Sequence, residues 1–149
     1  MLYEDYDIKL NRWTNFRNEL ETSISPFEDV LTYYNTKKRC KLRTNPWDQA
    51  NWPTPWELLE VNKYCDFTLT LASCYTLQLT DRFKNFEFEI HISIDKVNEE
   101  LLYPLHVDQK ILCYNYDGVI QKSDLPTQII SQRIYKMPRL QKIQYHLLK

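Results

Sequence analysis

The stretch from Phe86 to Asp95, with the sequence FEFEIHISID, is the feature that most constrains the fold of this chain. Apolar and polar residues alternate along all of it, so an extended backbone would carry one apolar face and one polar face. This pattern is typical of a half-buried strand in an antiparallel sheet. We therefore expect a sheet of which one face packs against the rest of the chain.

The region after this strand predicts the rest of the sheet. Alternating apolar residues over 101–107 predict a second strand, in which Pro104 indicates an edge position or a bulge. A tight turn at Asp108 leads to a third predicted strand over 110–115, and a turn at Gly118 precedes a fourth. We therefore predict an antiparallel β-meander of three to four strands.

The residues before this stretch predict helices. Apolar residues recur three or four apart, and Ser25-Pro26 and Thr54-Pro55 each place a capping residue before a proline, which is a typical helix start. The predicted helices span residues 5–24, 26–37, 55–61 and 64–79. The last of them is apolar on more than one side, so we expect it to be central and mostly buried. N-terminal helices followed by an antiparallel sheet make an α+β fold.

The length of 149 residues fits one domain. We predict a single α+β domain over 1–130, ending in a short helix that Asp124-Leu125-Pro126 opens and that runs through Ile130. Residues 131–149 contain five basic residues and no acidic one. We interpret them as a basic C-terminal arm.

Composition limits the kinds of site that the chain can build. Gly118 is its only glycine, which excludes phosphate loops, dinucleotide-binding turns and nucleophile elbows, because each needs several glycines. No segment approaches the ~18 apolar residues of a transmembrane helix. The four cysteines lack CxxC spacing and the first residues lack a signal-peptide pattern, so we expect reduced thiols in a cytosolic setting.

Cys65, His91 and Asp108 form the candidate catalytic set. Cys65 lies at the predicted start of a helix, where the helix dipole favours a thiolate, and His91 and Asp108 lie on the strands that follow. This order of cysteine on a helix, histidine on a strand and acid on the next strand resembles the core of the transglutaminase-like and papain-like superfamily. The resemblance implies a cysteine-dependent enzyme that acts on an amide or ester bond.

Two local features weaken this enzyme hypothesis. Asp66 beside Cys65 would raise the pKa of the thiol. His91 is followed by Ile92-Ser93, where the superfamily usually has a small residue and a tryptophan. A similar scaffold that has lost its chemistry fits these departures better, so an enzyme is not the preferred interpretation.

A metal site is an alternative interpretation of the polar residues on these strands. His91, His106, Asp95 and Asp108 fall on neighbouring predicted strands, where their side chains could converge. Glu89-Ile90-His91 approaches the acid-x-Lys pattern of nucleases, with histidine in place of lysine. Because such residues more often face water, we expect neither a metal nor a cofactor.

The candidate interface residues are Trp47 and Trp52, on a proline-bounded loop over 44–53, together with Arg133 and Arg139 of the basic arm. Tryptophan and arginine are enriched in protein interfaces, so we expect this loop to contact a protein partner. An aromatic platform for a sugar or a base is the alternative. Nucleic acid is not the expected partner, because no base-stacking strand motif accompanies the basic residues.

The segments NPWDQANWPTPWELL, KYCDFTLTLASCYTLQLT and FEIHISID resemble small uncharacterised proteins of contractile-tailed marine cyanophages. The resemblance covers roughly residues 10–115. It implies a phage structural or assembly protein at the neck, tail or baseplate, located in the virion or otherwise in the cytoplasm of the infected host. The implied partners are other virion proteins or a second copy of the chain. A phage protein that binds a host factor is a further alternative.

Overall fold

The computed structural model describes residues 5–41, 44–114 and 118–140. Four α-helices come first: α1 Tyr6–Leu20, α2 Pro26–Asn35, α3 Pro55–Val61 and α4 Asp66–Gln78. Six strands form one antiparallel sheet after them: β1 Phe88–Asp95, β2 Glu100–Leu102, β3 Leu105–Val107, β4 Lys110–Leu112, β5 Ile120–Gln121 and β6 Ile129–Lys136. The predicted α+β class is confirmed. Within these described ranges, no helix is long and apolar enough to cross a membrane.

Local capping explains where the third helix begins. The Thr54 hydroxyl accepts a hydrogen bond from the Glu57 backbone N–H at 3.2 Å, and the Glu57 carboxylate accepts one from the Thr54 N–H at 2.9 Å. This reciprocal capping box satisfies two N–H groups that a helix start leaves free. Helix α3 ends at Asn62, whose left-handed φ of 54° stops further helical bonding.

Helix α4 is the centre of the core, as its apolar sequence predicts. Every residue from Phe67 to Gln78 is buried. Its side chains lie in one core cluster with Leu20 of α1, Val30 of α2 and Ile90 of β1. The helix is therefore covered by the other helices on one side and by the sheet on the other.

One buried hydroxyl joins three of the helices. The Thr76 Oγ1 atom of α4 lies 3.0 Å from the Trp13 Nε1 atom of α1, 2.8 Å from the Tyr34 hydroxyl of α2 and 2.7 Å from the Ala72 carbonyl oxygen. A hydroxyl has one donor and two acceptor positions. Thr76 therefore donates to Ala72 and accepts from Trp13 and Tyr34, which satisfies all three groups.

Strand β1 is a central strand of the sheet, because it pairs with other strands on both of its sides. Strands β2 and β3 pair with it in one continuous register, from Phe88 opposite Val107 to Asp95 opposite Glu100. Pro104 lies between these two strands, so the single strand predicted over 101–107 is divided at this residue. Strands β4 and β5 extend the sheet beyond β3, and β6 pairs with the other side of β1.

Strand β6 corrects the predicted domain boundary. It crosses residue 130 and pairs with β1 from Ile129 opposite Asp95 to Lys136 opposite Glu89. Residues 131–136 therefore belong to the sheet and not to an arm, and the segment 122–124 forms a short 3-10 helix in place of the longer helix predicted there. The strand is hard to recognise in the sequence because most of its side chains are exposed and a register shift interrupts its pairing. The part of the predicted arm over 141–149 lies outside the described residues.

Candidate functional site

Cys65 lies at the N-cap of α4, the helix start that the sequence predicts, but its thiol is enclosed. The residue is only 3% exposed and belongs to the core cluster. Its Sγ atom lies 3.4 Å from the Thr68 Oγ1 atom, and its backbone N–H donates to the same hydroxyl at 2.9 Å. Cys65 also lines a cavity of about 180 Å³ with Cys40 and Lys63, but almost none of its own surface is accessible to a substrate.

The other two members of the predicted catalytic set have different partners. The His91 Nδ1 atom lies 2.6 Å from the Ser131 hydroxyl, and its Nε2 atom lies 3.0 Å from a Glu89 carboxylate oxygen. Asp108 sits in the turn between β3 and β4, where its carboxylate accepts a hydrogen bond from the Glu87 N–H at 2.8 Å. The hydrogen bonds of His91 therefore go to neither Cys65 nor Asp108.

Strand alternation explains why His91 and Cys65 do not meet. Ile90 packs in the same core cluster as Cys65, and successive side chains of a strand point to opposite faces of the sheet. His91 therefore lies on the face turned away from α4. The predicted histidine and cysteine fall on the expected elements, but on different sides of the sheet.

On this second face, Glu89, His91 and His106 come together, and we call them the histidine cluster. Glu89 pairs with His106 across β1 and β3, and His91 follows Glu89 by two residues on the same face. The two imidazole rings are stacked, with centroids 3.6 Å apart and planes inclined by 9°. One donor atom from each residue lies within 4.8 Å of the other two.

The cluster contains two of the four residues of the predicted metal alternative, whereas Asp95 and Asp108 of that set lie elsewhere. His91 and His106 converge as that hypothesis requires, and Glu89 supplies the carboxylate. Asp95 instead organises the turn after β1, where it accepts hydrogen bonds from the backbone N–H groups of Val97 and Asn98. The pairing of Glu89 with His106 was not foreseen, because it depends on the register between two strands.

The electrostatics of the cluster favour neutral rings beside a charged carboxylate. Burial, the neighbouring His91 and the Lys122 ammonium together lower the pKa of His106 to about 4. Burial also lowers the pKa of His91, although Glu89 opposes this shift. The hydrogen bond from His91 lowers the pKa of Glu89. Near neutral pH the three residues are thus in the protonation states that bind metal ions.

Both ring nitrogens of His106 are buried. The residue is 4% exposed, and among the described residues neither nitrogen has a hydrogen-bond partner. Buried polar atoms in proteins are nearly always paired, so such an exception calls for a physical explanation. The sequence indicated His106 as a strand residue but gave no sign that its ring would be enclosed and unpaired.

The four candidate interface residues fall into different environments. Trp47 is half exposed, as an interface residue should be. Trp52 packs instead against Phe67 and Tyr135, with ring centroids 4.9 and 4.8 Å away, so its ring covers the core. Of the two arginines, Arg133 stacks over the ring of Tyr135, and Arg139 donates to the backbone oxygen of Asn85 at 3.4 Å.

A second exposed surface was not foreseen from the sequence. Ile94 of β1 pairs with Leu101 of β2 on one side and with Ile130 of β6 on the other, so the three side chains form a row on one face of the sheet. We call it the apolar row. Leu101 is 48% exposed and Ile130 is 39% exposed, and Val97 in the adjoining turn is 69% exposed. Only strand pairing brings these residues together.

A cavity of about 460 Å³ borders this row. It lies between α4 and the end of the sheet, and its lining includes Thr70, Tyr103 and Leu101. The Thr70 hydroxyl is already bound to the Tyr103 carbonyl oxygen at 2.7 Å. The cavity therefore offers room for an apolar side chain beside the row.

Comparison with known proteins adds no family to this description. No protein-family model matches the chain, and no curated protein matches it. The function is therefore argued from the geometry of the described residues.

Proposed function

We propose that this chain is a structural or assembly protein of a phage virion, at the neck, tail or baseplate, that acts through protein–protein contacts. The phage origin rests on the sequence resemblance. The contact role rests on one observation, the exposed apolar row at the end of the sheet. Exposed side chains that form a continuous apolar surface typically mark a site of protein association.

The edge of the sheet beside the row supports the same role. In the described part of the chain, β6 pairs with β1 on one side and with no strand on the other. Such an edge presents backbone N–H and C=O groups to which a partner strand can add. Arg133 and Lys136 on this strand limit unspecific pairing, because charged residues protect exposed edges from aggregation.

The free edge of β6 is long enough to take a partner strand. Eight residues of β6 give an edge of about 26 Å, at about 3.3 Å for each residue. A specific interface buries ~1,000 Å² or more in total, so a partner on this edge would have to cover the apolar row as well. The cavity next to Leu101 can accept a partner side chain.

The proposed partners are other virion proteins or a second copy of this chain. Nucleic acid is not proposed, because the row is apolar and the charged residues that line the cavity, Asp66, Asp95 and Glu100, are acidic. The proposed location is the virion, or otherwise the cytoplasm of the infected host cell before assembly.

Mass spectrometry of purified particles tests this proposal directly. We expect the chain in particles of the phage that encodes it, at a constant copy number, and cross-linked to a neighbour through residues of β6 or the turn at Val97. If purified particles lack the chain, the proposal is wrong.

A pair of substitutions tests whether the row forms the contact. Ile130→Lys places a charge in the row, whereas Ile8→Lys places one on α1, where Ile8 is also about half exposed. We expect Ile130→Lys to reduce incorporation into particles at least severalfold and Ile8→Lys to leave it unchanged, with folding checked by circular dichroism. Equal incorporation of the two variants would exclude the row as the contact surface.

A further inference from the structure

We propose that Glu89, His91 and His106 bind one divalent transition-metal ion, with Zn²⁺ as the preferred ion. Two histidines and one glutamate are a donor set that zinc uses when it leaves a coordination position open. The three residues lie on two paired strands, β1 and β3, so a rigid part of the fold holds them. The site is separate from the apolar row and does not depend on the proposed assembly role.

The distance between the Glu89 and His91 donor atoms is close to the one that a metal requires, and His106 lies near enough to complete the set after a rotation. The donors lie within 4.8 Å of one another, and the Glu89 oxygen lies 3.0 Å from the His91 Nε2 atom. Ligand bonds of about 2.0–2.1 Å in a tetrahedral arrangement separate two ligands by about 3.3 Å. A metal ion can therefore replace the proton between Glu89 and His91 with only a small outward movement of the two side chains.

Ser131 supplies the support that a metal-binding histidine needs. With the metal on Nε2 of His91, the remaining proton lies on Nδ1 and is donated to the Ser131 hydroxyl, which is 2.6 Å away. The ring stays neutral, because its single proton moves from Nε2 to Nδ1 when the metal takes Nε2. A second hydrogen-bond partner of this kind orients the ring and fixes its tautomer.

His106 provides the second, independent observation. Its ring is enclosed with both nitrogens unpaired, which is costly unless a partner arrives. The ring is stacked on His91, and a metal ion lies close to the plane of the imidazole that binds it. Since the two planes are nearly parallel, His106 must turn out of the stack to ligate the same ion. Within the described part of the chain, no hydrogen bond holds its nitrogens against this rotation.

The chemistry of the donors selects the class of ion. Imidazole nitrogens favour zinc, cobalt, nickel and copper, whereas Mg²⁺ and Ca²⁺ prefer oxygen ligands throughout. Lys122 acts on all three residues of the histidine cluster as a nearby positive charge. It opposes a cation, so we expect Lys122→Gln to tighten metal binding severalfold.

Metal titration of the full-length, tag-free chain tests the proposal. After removal of metals with a chelator, we expect one Zn²⁺ or Co²⁺ ion to bind each chain, and Mg²⁺ in excess not to compete. His91→Gln, His106→Gln and Glu89→Gln should each weaken binding about tenfold or more. The matched controls are Glu87→Gln, an exposed acid just before β1, and His146→Gln, the third histidine of the sequence. Both should bind like the parent chain.

Nuclear magnetic resonance of the parent chain keeps the test decisive if a variant fails to fold. We expect Zn²⁺ to shift the ring-nitrogen signals of His91 and His106 together and to leave those of His146 unchanged. The proposal is overturned if no saturable binding occurs, if His106→Gln folds and binds as tightly as the parent chain, or if Zn²⁺ shifts the signals of His146 instead.

Discussion

Replacing Thr76 by valine is the sharpest test of how the helices are held together. Valine keeps the shape of threonine but removes the hydroxyl that accepts hydrogen bonds from Trp13 and Tyr34. Both donors are enclosed in the core and would lose the Thr76 acceptor, and the Tyr34 hydroxyl is a remaining polar neighbour of Trp13. The Ala72 carbonyl loses only an additional bond, since it remains within the helical ladder of α4.

The size of the expected loss of stability follows from the two donors that lose the Thr76 acceptor. A buried polar group without a partner costs about 1–3 kcal/mol. Relaxation around two such groups, and the added methyl group, offset part of the sum. We therefore expect Thr76→Val to lower the free energy of unfolding by about 2–4 kcal/mol.

Urea denaturation followed by tryptophan fluorescence and circular dichroism measures this loss. With a denaturant slope of about 2 kcal/mol per molar, the midpoint should fall by about 1–2 M. Ser73→Ala is the matched control, because the Ser73 hydroxyl donates mainly to the Leu69 carbonyl of the same helix at 2.8 Å. We expect the control to change the stability by about 1 kcal/mol or less.

A double-mutant cycle with Tyr34→Phe decides whether the reasoning is right. Tyr34 remains protonated, because burial raises the pKa of its hydroxyl well above the ordinary value. Tyr34→Phe should therefore be costly in the parent chain but nearly neutral or stabilising beside Thr76→Val, with a coupling energy of about 1 kcal/mol or more. A Thr76→Val chain that is as stable as the parent chain, or a cycle without coupling, would refute the proposed role of Thr76.

Three further predictions follow from local structure. Thr54→Ala removes the capping box of α3 and should lower the free energy of unfolding, measured by thermal denaturation, by about 1 kcal/mol. An unchanged melting temperature would contradict the role of this cap. Asn62→Gly should stabilise the chain by up to about 1 kcal/mol, because glycine adopts the left-handed φ of 54° without strain. A loss of stability in urea denaturation would show that the contacts of the Asn62 side chain outweigh this relief of backbone strain. Cys65 is buried, so a thiol reagent at neutral pH should modify it far more slowly than a free cysteine; labelling at the rate of a free thiol would revive the cysteine-enzyme hypothesis.

The elements that could be predicted from the sequence are those whose patterns involve only neighbouring residues. The alternation from Phe86 to Asp95 indicates strand β1, because the side chains of a strand alternate between its two faces. The structure differs from a half-buried strand in that the polar side chains His91, Ser93 and Asp95 are buried too. The start of α3 could be read from Thr54-Pro55 and Glu57, since a cap involves only neighbouring residues. Helix α4 could be recognised as central, because a helix that is apolar on several sides must be covered on several sides.

Which residues contact one another across the sheet depends on the tertiary structure. Strand β6 has mostly exposed side chains, so its place beside β1 depends on pairing and leaves no clear period in the sequence. Trp52 lies on an irregular loop, and its burial depends on Phe67 and Tyr135, which are distant in the chain.

The histidine cluster shows the same division between local pattern and long-range register. The alternation of β1 placed Glu89 and His91 on the polar face, as the sequence predicted. The turn between β1 and β2 then set the register that places Glu89 opposite His106 of β3, and a register shifted by one residue would have turned His106 to the other face. Residue type and strand face are properties of the local sequence, whereas the contacts between strands depend on how the strands pair in the folded sheet.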